Sequence, residues 1–195
     1  MTRYPQTPSQ TVGPFFHDGL LDADGTVDEL DPVGVAGTPI VIAGRIFDGD
    51  GAPVEDALVE IWQADGAGRY RHPADGRAPD VPDEFIGFGR VGSGEGGAYR
   101  VASVFPGTVP GPAGATQAPH LGVHVFARGL LDLLTTRIYF EDQSEANAAD
   151  PVLARVPEPR RTTLLARPDG DEDGVPRYRF DIVLQGRDET VFFDA

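Results

Sequence analysis

Residues 38–63 read Thr-Pro-Ile-Val-Ile-Ala-Gly-Arg-Ile-Phe-Asp-Gly-Asp-Gly-Ala-Pro-Val-Glu-Asp-Ala-Leu-Val-Glu-Ile-Trp-Gln, and they show the strand pattern of the chain most clearly. Residues 40–47 and 57–63 are rich in Ile and Val, with Phe and Trp at their ends, a composition that favours β-strands. Between them, residues 48–53 repeat Asp-Gly, which is typical of tight turns because both residues tolerate positive φ. The stretch therefore predicts two short strands separated by a turn.

Strand patterns of similar length recur through the rest of the chain and predict an all-β fold. They fall into pairs around turn-rich segments, at 90–91 with 99–105, 120–128 with 135–140, and 162–167 with 177–185. We expect the Gly-rich residues 92–97 to close a hairpin, and residues 144–149 to form one helical turn with Ser144 as its N-cap. Regular short strands with turns between them are typical of an antiparallel β-sandwich.

Long segments without a hydrophobic period lie outside these strands. Residues 65–91 and 106–119 are polar and rich in Gly and Pro, so we predict long loops, which in compact domains are often functional or interfacial. Residues 1–37 contain one apolar patch, at 12–16, and show no sustained period of 2 or 3.6. We therefore expect an extended N-terminal arm over 1–37 that contacts another chain, followed by a single β-sandwich domain over 38–195.

Composition excludes several classes of function. The chain has 195 residues, enough for one domain with an apolar core, and no cysteine, which excludes disulfides, thiolate metal sites and cysteine nucleophiles. Its 31 acidic side chains against 16 basic ones give a formal net charge of −15, which repels phosphate backbones, so we expect no nucleic-acid partner. The amino terminus does not resemble a signal peptide and no apolar run is long enough for a membrane span, so we expect a cytoplasmic protein without a membrane partner.

Two short motifs match known ligand sites only in part. Residues 87–92 match the dinucleotide pattern G-x-G-x-x-G, but Ser-Gly-Glu-Gly-Gly follows where a helix would have to begin. Residues 169–174 match the first half of a calcium loop, but its twelfth position, which must supply a bidentate Glu, is Phe180. We predict a Gly-rich strand end at the first place and a solvated hairpin tip at the second.

The histidines His120 and His124 lie on one predicted strand and on the same face of it. Residues four apart on a strand have Cα atoms about 13 Å apart. Two rings at that distance cannot readily share a metal whose bonds to nitrogen are about 2 Å long. The residue at the favourable spacing of two is Gly122, which has no side chain. Spacing alone therefore favours hydrogen-bonded structural histidines.

No self-contained catalytic site emerges from the residues themselves. Serine is scarce, and none sits in a G-x-S-x-G elbow. Carboxylates are too numerous for an acid–base pair to be chosen among them. Taken alone, the pattern predicts an acidic β-sandwich whose loops and arm contact another molecule.

The order and spacing of several segments resemble the intradiol ring-cleavage dioxygenases. The resemblance is carried by Asp48-Gly-Asp-Gly-Ala-Pro-Val, Val59-Glu-Ile-Trp-Gln-Ala-Asp, Gly68-Arg-Tyr-Arg-His, Gly89-Arg, Pro106-Gly and Ala118-Pro-His. The segments at 7–15, 126–129, 136–140 and 189–194 resemble more narrowly the non-catalytic α chain of the family's two-chain members. The resemblance runs over nearly the whole chain and implies a β-sandwich with a part in opening catechol rings with O2.

Catalytic chains of that family hold ferric iron with two tyrosines and an H-x-H pair, and each position can be located here. The tyrosine positions carry Arg77 and Val109, and the histidine positions carry His120 and Gly122. The arginine that assists three residues before the histidines is replaced by Gln117. Fe(III) prefers anionic oxygen donors and several ligands at once. The resemblance therefore implies that this chain holds no metal and no catalytic residue of its own.

The resemblance also implies a partner. In the two-chain members a homologous β subunit retains Fe(III), the αβ pairs assemble further, and 3,4-dihydroxybenzoate is opened with O2 to 3-carboxy-cis,cis-muconate. The arm of the α chain reaches the mouth of the β chain's active site, which would place Thr11, Gly13 and Pro14 beside the substrate. Arg128 would be an interface charge or lie just outside the pocket. The chain would then wall the pocket and build the interface.

Two other interpretations stay open. A self-sufficient intradiol dioxygenase would need unusual ligands, such as His120 with His17 or His72. A non-enzymatic sandwich of the transthyretin-like or carboxypeptidase-regulatory type would act as a binding module, since turns like the one at 48–54 occur there too. Iron content and the identity of the partner distinguish these interpretations.

Overall fold

The computed structural model describes residues 6–13, 15–16, 19–21, 26–30 and 35–194. The strands in these ranges are β1 (Pro39–Phe47), β2 (Leu58–Gln63), β3 (Phe88–Gly92), β4 (Ala98–Val104), β5 (Val109–Pro110), β6 (Thr116–Gln117), β7 (His120–Phe126), β8 (Leu134–Phe140), β9 (Leu165–Glu172), β10 (Val175–Arg179) and β11 (Ile182–Val183). The helical segments are α1 (Ser144–Ala149) and the 3-10 turns Ala78–Asp80, Glu95–Gly97, Pro112–Gly114, Leu153–Arg155 and Glu158–Leu164. Within the described residues no helix has the length and apolar character needed to cross a bilayer. The prediction of a fold built mostly of sheet with little helix is confirmed.

The strands form two layers that are linked at one edge into a sandwich-like sheet. One layer runs β3-β2-β7-β8, and all of its pairs are antiparallel. In the other layer β4 pairs antiparallel with β1, and β9 with β10, whereas β1 and β10 run parallel. A short parallel contact between β8 and β9 links the two layers. The sandwich is therefore mixed, because β1 and β10 are separated by most of the chain and no tight turn forces them to run in opposite directions.

Alternating side chains fill the space between the layers. In β7, Leu121, Val123 and Val125 are at most 1% exposed and lie in one cluster with Ile42 of β1. The residues between them face the other side of the sheet, where His124 is exposed. Because successive side chains of a strand point to opposite faces, each strand contributes one row to the core and leaves another row outside. The predicted two faces of this strand are confirmed, and the outer one carries the candidate site.

Residues 92–97 do not close a hairpin, so that prediction was wrong. β3 pairs with β2, and β4 pairs with β1, which means that this segment carries the chain from one layer to the other. Gly97 has a φ of +72°, and a Cβ there would lie 2.6 Å from the carbonyl oxygen of Ile46, so this passage requires glycine. A Gly-rich turn between two strand patterns indicates a change of direction, but it does not indicate the strand with which each side pairs.

The G-x-G-x-x-G residues form a strand, as predicted. Residues 88–92 are β3, which is paired along its length with β2. The next helical segment is only the three-residue turn Glu95–Gly97. A phosphate would need the first turn of a longer helix at this place, so the motif is a strand end and not a nucleotide site.

The last strand pair is a hairpin whose strands reach further towards the tip than predicted, whereas residues 162–164 belong to the 3-10 turn Glu158–Leu164. β9 and β10 pair antiparallel up to a tip at Asp173 and Gly174, both of which have positive φ. The Gly174 N–H donates to the Asp171 carboxylate, a local bond that satisfies the turn. Phe180 is 3% exposed and belongs to the core. The solvated tip predicted within 169–174 is confirmed.

Ser144 begins α1 and does not cap it, so this detail of the prediction was wrong. Gln143 occupies the N-cap position, and no side chain caps the helix. The Asn147 side-chain amide donates to the carbonyl oxygen of Phe140, and the Asn147 backbone N–H donates to that of Gln143. The helical turn itself is confirmed, but its start is set by these bonds to the end of β8.

The two long loops pack against each other beside the β3-β2-β7-β8 layer. The buried carboxylate of Asp65 accepts hydrogen bonds from two backbone N–H groups and from the Arg69 guanidinium. The Gly107 N–H of the second loop donates to the Asp65 carbonyl oxygen. A Cβ on Gly68 would lie 1.9 Å from the Thr108 carbonyl oxygen, so the loops touch backbone to backbone. The loops therefore form ordered walls around the candidate site.

Part of the predicted arm packs on the chain's own sandwich. Val27 exchanges backbone hydrogen bonds with Arg90, and the Leu30 N–H donates to the Ala102 carbonyl oxygen. The Leu30 side chain is 4% exposed and lies in the core. Residues 26–30 thus cover an edge of the sandwich, while contact between the arm and a partner chain stays a prediction.

Candidate functional site

Four residues lie side by side across the outer face of the β3-β2-β7-β8 layer. The strand register places Phe88 opposite Trp62, Trp62 opposite Gly122, and Gly122 opposite Arg137. Because adjacent strands are about 4.8 Å apart, Gly122 leaves a gap between an indole on one side and a guanidinium on the other. This row is the centre of the candidate site.

A cavity of about 550 Å³, here named the first cavity, opens over this row. Most of its walls are apolar or aromatic, with an arginine, a glutamate and a histidine among them. It is lined by Glu60, Ile61, Trp62, Phe88, Gly122, Val123, His124, Thr135, Thr136, Arg137, Val152 and Phe193. Glu60 is already neutralised by Arg90, whose Nη2 lies 2.7 Å from the Glu60 carboxylate.

A second cavity of about 380 Å³ lies on the other side of Trp62. Trp62 lines both cavities, and its ring stacks on Tyr70 with the centroids 6.0 Å apart. The second cavity is lined by Trp62, Tyr70, His72, Ala74, Asp75, Gly76, Arg77, Val109, Pro110 and Gln117. The indole is therefore a partition between two spaces.

The residues at the two tyrosine positions of the family both face the second cavity. Arg77 donates from Nε and Nη2 to the carboxylate of Asp75 and from Nη2 to the carbonyl oxygen of Gly68. The Arg77 hydrogen bond holds the pKa of Asp75 well below its ordinary range. Val109 begins the short strand β5 and offers no donor atom in its side chain. This half of the site is an internal ion pair beside an apolar residue.

His120, the one family ligand that the sequence retains, is buried at the start of β7. Its side chain is 6% exposed, and Nδ1 lies 2.8 Å from the carbonyl oxygen of Ala118. Burial, and after it the positive charge of Arg137, lowers the pKa of His120 to about 4. At neutral pH the ring is therefore uncharged and already engaged in a structural hydrogen bond, which confirms the prediction for His120; His124 is exposed and makes no such bond among the described residues.

Gly122 stands at the second histidine position and leaves it open. An added Cβ would meet nothing nearer than the Trp62 carbonyl oxygen at 3.5 Å, which is ordinary contact. The φ angle of Gly122 is not positive, and no backbone atom approaches too closely for a side chain. The backbone therefore does not require glycine at this position. Glycine inside a strand often marks a place that a ligand or another chain approaches.

Arg137 was not singled out by sequence reasoning, although it lies within a segment that carries the family resemblance. It projects from β8 beside Gly122, and its Nη1 donates to Gln117 at 2.7 Å and to the hydroxyl of Tyr139 at 3.3 Å. The family resemblance implies that Gln117 stands where catalytic chains have their assisting arginine. On this interpretation the site keeps a guanidinium, but it comes from Arg137 on β8, whereas Gln117 lies on β6.

Asp150 is a second residue that sequence reasoning missed. It is fully buried, and its carboxylate accepts hydrogen bonds from the backbone N–H groups of Ala118, Val152 and Leu153 and from the hydroxyl of Tyr139. These bonds fix the segment that leads into His120. One aspartate among 31 acidic residues carried no sequence pattern that would have marked it.

The side chains at the family's iron positions do not fit a ferric ion. They are a guanidinium, an isopropyl group, a hydrogen and one imidazole, and only the last can donate an electron pair to a metal. Fe(III) prefers anionic oxygen donors, and none is present at these positions. Among the described residues no group of three or more His, Asp and Glu side chains is placed to hold a metal.

The other residues named from the sequence lie at different places. His72 lines the second cavity and His124 lines the first, whereas His17 and Pro14 fall outside the described residues. Thr11 and Gly13 are exposed on the arm. Neither His72 nor His124 belongs with His120 to a group of three or more possible metal ligands among the described residues.

Comparisons with known proteins agree with this arrangement. A family model described as Dioxygenase matches residues 12–186. A protocatechuate 3,4-dioxygenase alpha chain from Burkholderia cepacia is 45% identical over 202 residues, which cover 100% of both chains. The chain belongs to the intradiol dioxygenase family. The resemblance read from the sequence is thereby confirmed.

Other intradiol dioxygenases are related more distantly. A protocatechuate 3,4-dioxygenase beta chain from Burkholderia cepacia is 35% identical, covering 95% of this chain and 78% of its own. The crystal structure of 3-chlorocatechol 1,2-dioxygenase from Rhodococcus opacus 1CP has a TM-score of 0.63 at 25% identity, covering 80% of this chain and 63% of its own. The family fold is thus retained here, while the loss of the iron ligands stays what the resemblance implies.

Proposed function

We propose that this chain is the non-catalytic α subunit of a protocatechuate 3,4-dioxygenase. The observation that carries the proposal is the contrast between an intact intradiol fold and the residues Arg77, Val109 and Gly122 at its iron positions. A relative named as an alpha chain matches the whole length, and a relative named as a beta chain is homologous as well. A chain that keeps the fold without the ligands needs a homologous partner that keeps both.

The chemistry then belongs to the αβ pair. Fe(III) is held by the β subunit, and iron bound there would prepare the catechol of 3,4-dihydroxybenzoate for reaction with O2. The ring opens between the two hydroxyl-bearing carbons to 3-carboxy-cis,cis-muconate, and both oxygen atoms enter the product. This chain provides no acid, base or ligand; it walls the mouth of the pocket and excludes water from it.

The described arm residues support a role at an interface. The Thr11 hydroxyl accepts a hydrogen bond from the Gly129 N–H at 2.7 Å, and the Ser9 hydroxyl donates to Asp132 at 3.2 Å. Near these anchors Phe15 and Leu131 are 80% and 63% exposed, and exposed apolar side chains of this size favour a protein partner. In the proposal the arm continues from Thr11 through Gly13 and Pro14 to the partner's substrate.

Arg128 lies directly before the glycine that holds Thr11. Its Nε donates to the carboxylate of Asp56, and its side chain is more than half exposed. An exposed ion pair contributes little to the stability of the fold. We therefore assign Arg128 to the interface, as a charge close to the partner's pocket.

Affinity purification of the chain from its native host tests the partnership. We expect a homologous chain with intact iron ligands to co-purify, together with iron and the visible tyrosinate-to-iron charge-transfer band. The same chain expressed alone should be colourless. Near-stoichiometric iron in the isolated chain would instead favour a self-sufficient enzyme, and recovery of an unrelated partner would favour a binding module.

Deletion of residues 1–15, or Pro14→Ala, tests the role of the arm in the assembled enzyme. We expect the KM for 3,4-dihydroxybenzoate to rise while the iron content stays nearly unchanged, because the arm contacts substrate and not metal. Arg187→Ala, a change at an exposed residue far along the chain, is the control. An unchanged KM in both arm variants would refute the role of the arm at the pocket.

A further inference from the structure

We propose that the first cavity is a binding site for a small aromatic carboxylate, with its ring over Gly122 beside Trp62 and its carboxylate on Arg137. The proposal stands on the geometry of this chain and does not depend on the proposed function. It concerns the space above Gly122, which the resemblance assigns to a histidine in catalytic chains, and the guanidinium of Arg137, to which the resemblance assigns no role.

The space for the ring comes from Gly122. The strand register places Trp62 and Arg137 on either side of it, so these two side chains start about 10 Å apart across the sheet. Gly122 needs no left-handed φ, and a Cβ would fit there without a clash. The backbone therefore does not explain the missing side chain, whereas a ligand lying on the strand would use the gap.

The walls of the first cavity suit an aromatic ring. Trp62, Phe88 and Phe193 line it, and Val152 closes it from the segment after α1. Flat apolar ligands bind well in cavities of this volume when a few polar groups fix their orientation. The cavity thus has room and apolar surface, and its polar groups decide which ligand it takes.

Arg137 supplies the polar group that selects for a carboxylate. Both of its hydrogen bonds leave from Nη1 and go to neutral acceptors, Gln117 and Tyr139. Within the described residues Nε and Nη2 have no partner, and no carboxylate lies within 4.0 Å of the guanidinium. The free edge of a guanidinium binds a carboxylate through two parallel hydrogen bonds.

Neighbouring acids do not cancel this charge. Glu60 is paired with Arg90 through two hydrogen bonds. The carboxylate of Asp150 is directed to backbone N–H groups and to Tyr139. In a chain with a net charge of −15, an unpaired guanidinium at the edge of an aromatic cavity is a local positive site in a negative field. Such a site would hold an anion with an apolar body.

The single tryptophan of the chain makes the test direct. Trp62 is the only tryptophan, so intrinsic fluorescence of the purified full chain reports on the wall of the first cavity. Titration with benzoate, excited at the red edge of the indole band, should change this fluorescence with a Kd on the order of 1 mM, as expected for so small a ligand. Benzamide, which keeps the ring and lacks the charge, should bind at least about tenfold more weakly.

Two variants test separately the charge of Arg137 and the space above Gly122. Arg137→Gln should weaken benzoate binding roughly tenfold or more, because it removes a charge-assisted pair of hydrogen bonds. Gly122→Leu should abolish binding by filling the gap and should leave circular dichroism unchanged. Arg187→Gln removes an equal charge from an exposed position and should leave binding as in the wild type.

Equilibrium dialysis on the complex with the β subunit gives an independent readout. The wild-type complex should bind one more benzoate per αβ pair than a complex that carries Arg137→Gln. The proposal is wrong if the full chain shows no saturable response to benzoate, or if the folded Arg137→Gln and Gly122→Leu variants bind it as well as the wild type. It is equally wrong if the two complexes bind the same number of molecules.

Discussion

Two arginines lie on opposite sides of Trp62, and their surroundings differ. Arg77, in the second cavity, is joined to Asp75 by three hydrogen bonds, two from its side chain to the carboxylate and one from its backbone N–H. Arg137, in the first cavity, donates only to two neutral side chains. The same residue type is a structural clamp in one cavity and an uncompensated charge in the other. Equal residue types beside one tryptophan therefore have different roles, because the charge of a guanidinium is compensated only where a carboxylate lies within reach.

The largest expected effect concerns His120, the buried ring near Arg137. Its folded-state pKa of about 4 lies below the ordinary value of 6.5, so the unfolded chain takes up the proton first as pH falls. The stability that the neutral His120 ring contributes is therefore fully present above pH 6.5 and is lost between 6.5 and 4, by up to ~3 kcal/mol. Urea unfolding at several pH values should show this loss in the wild type and much less of it in His120→Gln.

The control for that prediction is His124→Gln on the same strand. His124 is an exposed imidazole, so this variant shows what the loss of a histidine outside the core does to the same unfolding curves. An equal loss of stability in wild type and His120→Gln would show that the buried ring is not its source.

The next prediction compares how much each of the two arginines contributes to the free energy of unfolding. Arg77→Gln should cost about 1–2 kcal/mol of unfolding free energy, because it leaves the half-buried Asp75 without its charged donor. Arg137→Gln should change it by less than about 0.5 kcal/mol, since no charged partner is lost. Denaturant titration of both variants at neutral pH measures the difference. Equal costs would remove the distinction between a clamp and an uncompensated charge.

The Arg77 effect should also depend on pH. The pKa of Asp75 is held below its ordinary value of 3.8, so the pair contributes stability above that pH and loses it as pH falls further. The gap in stability between wild type and Arg77→Gln should therefore narrow in acid. A gap that stays constant down to pH 3 would mean that packing, and not the ion pair, is its origin.

A smaller effect is expected on the titration of His120. Burial is the main cause of its low pKa and the charge of Arg137 is the second. Arg137→Gln should therefore raise the pKa of His120 towards its ordinary value, while Arg77→Gln should leave it in place. Titration of the histidine ring signals by NMR follows this shift, and the opposite ranking of the two variants would contradict the assignment of Arg137 as the free charge.

The smallest effect is expected at Gly122. Gly122→Ala has space for its methyl group and restricts the unfolded chain, so it should raise the unfolding free energy by roughly 0.4–1 kcal/mol. Gly97→Ala is the matched contrast, because its methyl group would lie 2.6 Å from a backbone oxygen at a positive φ. Thermal melting of the two variants should move in opposite directions, and a destabilised Gly122→Ala would show that the gap has a structural purpose.

The pattern of side chains along the sequence predicted where strands occur better than it predicted which strands pair with each other. The alternation around Val123 gave the two faces of β7, because a strand has a fixed period. The glycines at 92–97 predict a hairpin that does not form, because a turn pattern does not report the sheet to which each strand belongs. The parallel pairing of β1 with β10 was missed for the same reason, since it joins residues that are far apart in the chain.

The candidate site was predictable where the family resemblance fixed positions, and not beyond them. Arg77, Val109, His120 and Gly122 could be named from order and spacing. Arg137 was not named, because only the register of β8 against β7 places it next to Gly122.

Residue types at fixed spacing were enough to predict the fold family and the acidic charge, and through the family resemblance they also predict the loss of the iron ligands. The folded arrangement was needed to show that Arg77 is neutralised while Arg137 is not, and that Trp62 divides two cavities. The physical reason is that charge compensation and cavity shape depend on distances between strands and loops that are remote in the chain. Residue identity sets which groups are present, and the packing of the two layers sets which of them meet.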